Sequence, residues 1–164
     1  MLEQLAPATL LGAPQQPQQG LEDIDIRSHL NFIKTGATDL IVLTDDQDGI
    51  SFGTASHYVT VYSNTSNPAN TLGLQIVNGS GYGILVVEGD LTLSGNFDWH
   101  GLLLVTGHLT LDGGSGSLNI GGAILAQGTT AANGSVEIQY DSCAINRALN
   151  NQALITISWK ETYH

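Results

Sequence analysis

The chain has 164 residues and a formal charge of −11, from fifteen acidic against four basic side chains. That balance argues against a nucleic-acid binder, which neutralises phosphates with clustered Lys and Arg, and against a module that docks on anionic lipid. Charged residues make up 12% and apolar ones 41%, too apolar for a disordered acidic tail, so a single folded domain with a buried core is expected.

Residues 1–20 are rich in Pro, Gln and Ala (APQQPQQG) and read as a flexible tail or linker, leaving 21–164 as the domain. The opening MLEQLAPATLLGAP carries Glu3 where a signal peptide needs Lys or Arg, and prolines interrupt its apolar part. No apolar run reaches the roughly 18 residues of a membrane span. A soluble chain is expected, with any export signal lying outside it or removed. Ile26, Leu30 and Ile33 then fall at i, i+4 and i+7, with Asp23 or Asp25 as N-cap, Lys34 in the last turn and Gly36 beyond it. This spacing predicts a helix over about 23–34. Short β-rich runs follow at Leu40–Leu43, Tyr58–Tyr62 and Leu74–Val77, separated by Gly, Asn, Ser and Asp clusters.

The strongest signal is a repeat. Glycines stand at 83, 89, 95, 101, 107 and 113, six residues apart, and three hexads later the text recurs: GILVVEGDLTLSG over GLLLVTGHLTLDG. A third copy, GAILAQGTTAANG, begins at Gly122, 21 residues after Gly101, so GSG at 114–116 reads as a three-residue insertion. A strand and a corner per hexad, with glycine at the corner, gives a triangular coil of about 18 residues. Successive coils stack as parallel strands about 4.8 Å apart. The predicted fold is therefore all-β: a single-stranded parallel β-solenoid. Leu91, Leu93, Leu109 and Leu111 point inward, and Phe97 and Trp99 fill a face from within. Asp90, Thr92 and Ser94 point outward above His108, Thr110 and Asp112. Solenoid ends expose strand edges and need caps. The helix near 23–34 is expected at one end; a short helix over Ala144–Asn150 and a final strand over Leu154–Lys160 are expected at the other.

Several residues could carry chemistry. Asp90 and His108, one coil apart on the outside, could form an acid–base couple, although no Ser or Cys nucleophile is tied to them; the plainer reading is an exposed pair on a ladder. Asp98, His100 and Asp112 could supply a glycosidase-type carboxylate pair, but such enzymes have longer solenoids. Between Lys34 and Arg147 there is no Lys or Arg, which excludes a Lys Schiff base, a P-loop or an Arg clamp there. Asp45, Asp46 and Asp48 before Gly49 resemble a calcium loop; Thr44 and Ala55 stand where an EF-hand needs acids, so the reading is an irregular calcium site or a plain turn. GGSGSLNI at 113–120 resembles a calcium-binding nonapeptide repeat, with Leu118 where that repeat needs Asp. Asn64, Asn78 and Asn133 begin N-x-[ST] sequons that read as incidental. Thr92 and Thr110 begin a threonine ladder that Ala131 breaks. Cys143, the single cysteine, cannot form an intramolecular disulfide or a cysteine-based zinc site, and reads as a small structural residue, with an intermolecular disulfide as the alternative.

The stretch GYGILVVEGDLTLSGNFDWHGLLLVTGHLTL, with Gly122–Leu125, Tyr140–Cys143 and Ile157–Glu161, resembles the C-terminal domain of bacterial type IV pilus assembly proteins that carry a pilin-like N-terminal helix. The resemblance covers about residues 21–161, and the hydrophobic pilin helix has no counterpart in residues 1–20. It brings no catalytic residues and no cofactor. It implies a non-enzymatic, cell-surface structural or adhesive module, whose partners are other pilus or surface subunits, or itself. Two other readings stand beside it: a bactofilin-like self-assembling solenoid polymer and a carbohydrate-active β-helix.

Overall fold

The computed structural model describes residues 26–64 and 73–150. The expected tail over 1–20 and the expected strand over Leu154–Lys160 lie outside the described residues. Helix α1 (Ile26–Gly36) leads into β1 (Leu40–Leu43), β2 (Gln47–Phe52), β3 (Val59–Asn64), β4 (Leu74–Glu88), β5 (Leu91–Val105), β6 (Leu109–Asp112), β7 (Leu118–Ala126), β8 (Thr130–Asn133) and β9 (Val136–Tyr140), and helix α2 (Ser142–Asn150) follows. Every pairing between these strands is parallel. The chain winds through about five turns of a β-solenoid, as the repeat predicted.

Three faces follow from the register. The first stacks Gln47 and Asp48 of β2, Leu74–Val77, Leu91–Ser94, β6 and β8; the second stacks Ile50–Phe52 of β2, Gly79–Tyr82, Phe97–His100, Leu118–Gly121 and β9. The third stacks β1, β3 and the stretches that follow Gly83, Gly101 and Gly122. Leu91 pairs with Leu109, 18 residues on, whereas Phe97 pairs with Leu118, 21 residues on, so the three extra residues fall between Asp112 and Leu118. The hexads are not all separate strands, because β4 and β5 each run 15 residues across all three faces, through the corner between the first and second and then the corner between the second and third. Gly83, Gly101 and Gly122 turn that corner at φ of 144°, 136° and 151°, a bend open to a residue without a Cβ. A Cβ on each would strike the backbone carbonyl of Val59, Gly83 and Gly101 respectively.

The interior is a set of aliphatic columns closed by aromatics. Leu91, Leu93, Leu109 and Leu111 are fully buried, as expected, and Phe97 and Trp99 fill the second face, their rings parallel at 6.1 Å. Trp99 lies over Gly81, where a Cβ would strike its ring. Its Nε1 is buried with no hydrogen-bond partner among the described residues.

A second cluster lies outside the third face. Leu30 of α1 and Ala148 of α2 bury against Tyr58, Tyr62, Ile84, Val86 and Leu104, the outward residues of three successive coils. Both expected helices are thus present, and what they cover is a flank of the solenoid. The hexads GILVVE and GLLLVT are apolar on both faces of the strand for this reason, as in any sheet covered on both sides. Lys34 pins α1 there. Its Nζ lies 3.2 Å from Glu88 Oε1 and 4.1 Å above the centre of the Tyr62 ring. At the coil ends apolar groups remain exposed: Leu40 and Val42 on β1, Ile138 and Tyr140 on β9.

Candidate functional site

The residues that look most reactive in the sequence are tied into the corners. Asp90 Oδ1 accepts the His108 backbone N–H at 2.7 Å, while the His108 ring, through Nδ1, meets the Thr129 hydroxyl at 2.8 Å and the Thr129 backbone N–H at 3.1 Å. The pair is one coil apart as expected, but the carboxylate holds the backbone of His108 and the imidazole serves the next coil. The adjacent corner repeats the device. Asn78 is left-handed, at φ 51°, where the coil is one residue short. Its Oδ1 accepts the Asn96 N–H at 3.0 Å, and Asn96 Oδ1 accepts the Ser117 N–H at 3.1 Å. Asn and Asp suit this role because their short polar side chains tolerate left-handed backbone and reach neighbouring amides.

The three candidate calcium ligands are divided in the same way. Asp46 Oδ1 accepts the Gln75 N–H at 2.8 Å, Asp48 Oδ1 accepts from Asn78 Nδ2 at 3.1 Å, and Asp45 Oδ2 accepts the Thr44 hydroxyl at 2.9 Å. Asp45, Asp46 and Asp48 therefore do not converge, and among the described residues no group of three or more His, Cys, Asp or Glu side chains is arranged to hold a metal ion. Leu118, which breaks the nonapeptide pattern, is fully buried. Cys143, read as a small structural residue, is exposed at the start of α2, where its N–H and that of Ala144 are capped by Asp141 Oδ1.

Polar and aromatic side chains gather on the outer side of the second face. Two columns run there. Ser51, Ser80, Asp98, Asn119 and Glu137 form one; Tyr82, His100, Gly121 and Gln139 form the other. Asp98 Oδ2 lies 3.3 Å from His100 Nε2. The Tyr82 ring stacks on the His100 ring at 4.7 Å and 14°, and Tyr58 meets the edge of Tyr82 at 5.7 Å. The hydroxyls of Ser51 and Ser80, in the same column as Asp98, bond each other at 3.0 Å rather than His100. Asp112, expected to share a site with Asp98 and His100, sits on the first face between Ser94 and Asn133. Below His100 the stack stops at Gly121, leaving a cleft of about 270 Å³ lined by Asp98, His100, Asn119, Gly121, Glu137 and Gln139.

The sequence reading found Asp98 and His100 but missed Tyr82, Asn119, Gly121, Glu137 and Gln139. The signal was available: steps of 18, 21 and 18 from Tyr82, the same steps that align the inward columns, place residues 82, 100, 121 and 139 in one line. Comparison with family models, curated proteins and solved structures returns no match.

Proposed function

We propose that this chain is a non-enzymatic rod module of the bacterial cell surface, working with type IV pilus-like assemblies as a spacer or adhesive element. The observation that carries the reading is the use made of its polar corners. Asp46, Asp48, Asn78, Asp90, Asn96 and His108 each hold a backbone or side-chain group of a neighbouring coil. Groups committed to holding coils in register stiffen a rod and are withdrawn from acid–base work. The pilus association rests on the motif from Gly81 to Gly101 and its downstream companions. Immunogold labelling of the encoding cells tests it: label along pili or at their tips is expected, and label confined to the cytoplasm would overturn it. Cleavage of a glycan panel, lost on Asp98→Asn or Glu137→Gln, would overturn the non-enzymatic part.

A second reading, a self-assembling polymer, is favoured by one observation. Leu40 and Val42 at one end and Ile138 and Tyr140 at the other are exposed on strands that pair on one side only among the described residues. Parallel coils stacked head to tail would form an open filament. Concentration-dependent filaments of the purified protein in electron micrographs would favour this reading over the first.

A further inference from the structure

We infer that the cleft at Gly121 is a receptor for an arginine side chain presented by a protein partner. The inference rests on the reading of the rod as a binding module and names the chemistry that its acidic face selects.

The column Tyr82–His100–Gly121–Gln139 is a ring stack with one member missing. The Tyr82 and His100 rings lie nearly parallel at 4.7 Å, close to the strand spacing of about 4.8 Å, so each coil supplies one layer. At the next layer the side chain is absent. The His100 ring overhangs Gly121 closely, a Cβ there coming to a tight 3.2 Å from Nδ1, and the open space lies just outside this point, in the cleft of about 270 Å³. A planar group from outside can therefore occupy the vacant layer, against the imidazole on one side and the Gln139 level on the other.

The surroundings set its charge. Asp98 and Glu137 stand in the neighbouring column one layer above and one below the gap, with Asn119 between them at its own level. Two carboxylates, Asp98 already bonded to His100 at 3.3 Å and Glu137 on the far side, bracket the layer and make it attractive to a cation. Guanidinium meets both requirements: it is flat, weakly hydrated, stacks on rings and donates in a fork to carboxylates, whereas an ammonium is a compact, strongly hydrated point charge. The cleft, at about 270 Å³, is smaller than the roughly 300–1,000 Å³ of small-molecule sites and suits a single side chain. This chain carries no Lys or Arg from residue 35 to 146, and Lys34 is engaged with Glu88; we place the cation on another molecule.

The test uses the full chain labelled with ¹⁵N and three blocked tripeptides, Gly-Arg-Gly, Gly-Lys-Gly and Gly-citrulline-Gly. The arginine peptide is expected to shift resonances of His100, Gly121, Glu137 and Gln139, at least threefold more tightly than the lysine peptide and tenfold more tightly than the citrulline peptide. Gly121→Gln, at a φ outside the left-handed region, puts a side chain into the cleft with a small displacement of the His100 ring and should abolish the arginine shifts while leaving resonances away from the cleft in place. Glu137→Gln, at an exposed position, should weaken binding several-fold, and it keeps the inference testable if Gly121→Gln fails to fold. Equal response to citrulline, arginine shifts spread over the whole acidic surface, or arginine binding unchanged in both variants would overturn the inference. None of these outcomes bears on where immunogold places the protein, so the two readings fail separately.

Discussion

Lys34 and Glu88, 54 positions apart in the chain, meet at 3.2 Å and fasten α1 to the third face. Tyr62 joins them, its hydroxyl donating to the same Glu88 oxygen at 3.0 Å. A hydrogen bond with Tyr62 raises the Lys34 ammonium most, burial opposes it, and the hydrogen bond and charge of Glu88 add to the rise, leaving the group above its ordinary pKa of 10.5. A raised folded-state pKa stabilises the fold fully below the unfolded value and is lost as pH rises through the folded one. Stability should therefore fall on going above about pH 10.5, and Lys34→Met should remove that part of the loss. At neutral pH the same variant should cost about 1 kcal/mol, as expected for a partly exposed pair. Urea titrations at pH 7 and 11 check both statements.

The in–out alternation of the first face predicts opposite outcomes at adjacent residues. Leu93 is fully buried, whereas Thr92 faces outward beside Gln75 and Thr110. Leu93→Asp should destabilise by about 4 kcal/mol or more, because an unpaired carboxylate is forced into the core. Thr92→Asp should stay within about 1 kcal/mol of the parent. Thermal melts of the two variants separate the faces, and equal melting temperatures would contradict the assignment.

The inward columns were legible because their period survives any constant offset: Leu91 over Leu109 needs only the 18-residue repeat. The outer surfaces were harder. Ile84, Val86, Leu102 and Leu104 are as apolar as their inward neighbours, so alternation vanishes there, and the partner that covers them begins at Leu30, far upstream in sequence. The cleft needs the offsets of three coils at once, including the insertion before Leu118. Asp90 beside His108 was legible as proximity, but which atom the carboxylate takes is set by corner geometry that spacing does not encode.

Glycines divide by what lies above them. Gly101→Ala should be severely destabilising, since φ is 136° and the Cβ would strike the Gly83 carbonyl. Gly116, which the sequence reading places in the insertion, packs against the backbone of Gly95, so Gly116→Ala should also be costly, by about 2 kcal/mol. Gly114, whose Cβ would meet nothing nearer than 3.7 Å, is the tolerant position; at φ 42°, Gly114→Asn should be close to neutral. Chemical denaturation of the three variants gives the order.

Asn96 sits in the middle of its corner ladder. Asn96→Ala leaves the exposed Ser117 N–H to water in place of its acceptor and should cost about 0.5–1 kcal/mol. Hydrogen exchange at Ser117 should accelerate selectively, a local readout that a general loss of stability would not give.

Because Asp45, Asp46 and Asp48 serve three separate partners, millimolar calcium should leave the melting temperature unchanged. A ligand that binds the folded state alone would raise it by mass action, so a calcium-dependent shift, abolished by Asp46→Asn with Asp48→Asn, would show that these side chains regroup around an ion.

The shared register of all three faces makes the whole coil the natural unit of growth. Duplicating residues 83–100 inserts one more layer in which every inward leucine lands under an inward leucine, and the rod lengthens by about 4.8 Å. Inserting a single residue within a strand would instead turn its inward row outward. Genes of this design can change the reach of their product in fixed steps, by copying a coil, while the cleft at Gly121 keeps its form; the flank that α1 and α2 cover across three coils would have to lengthen with it.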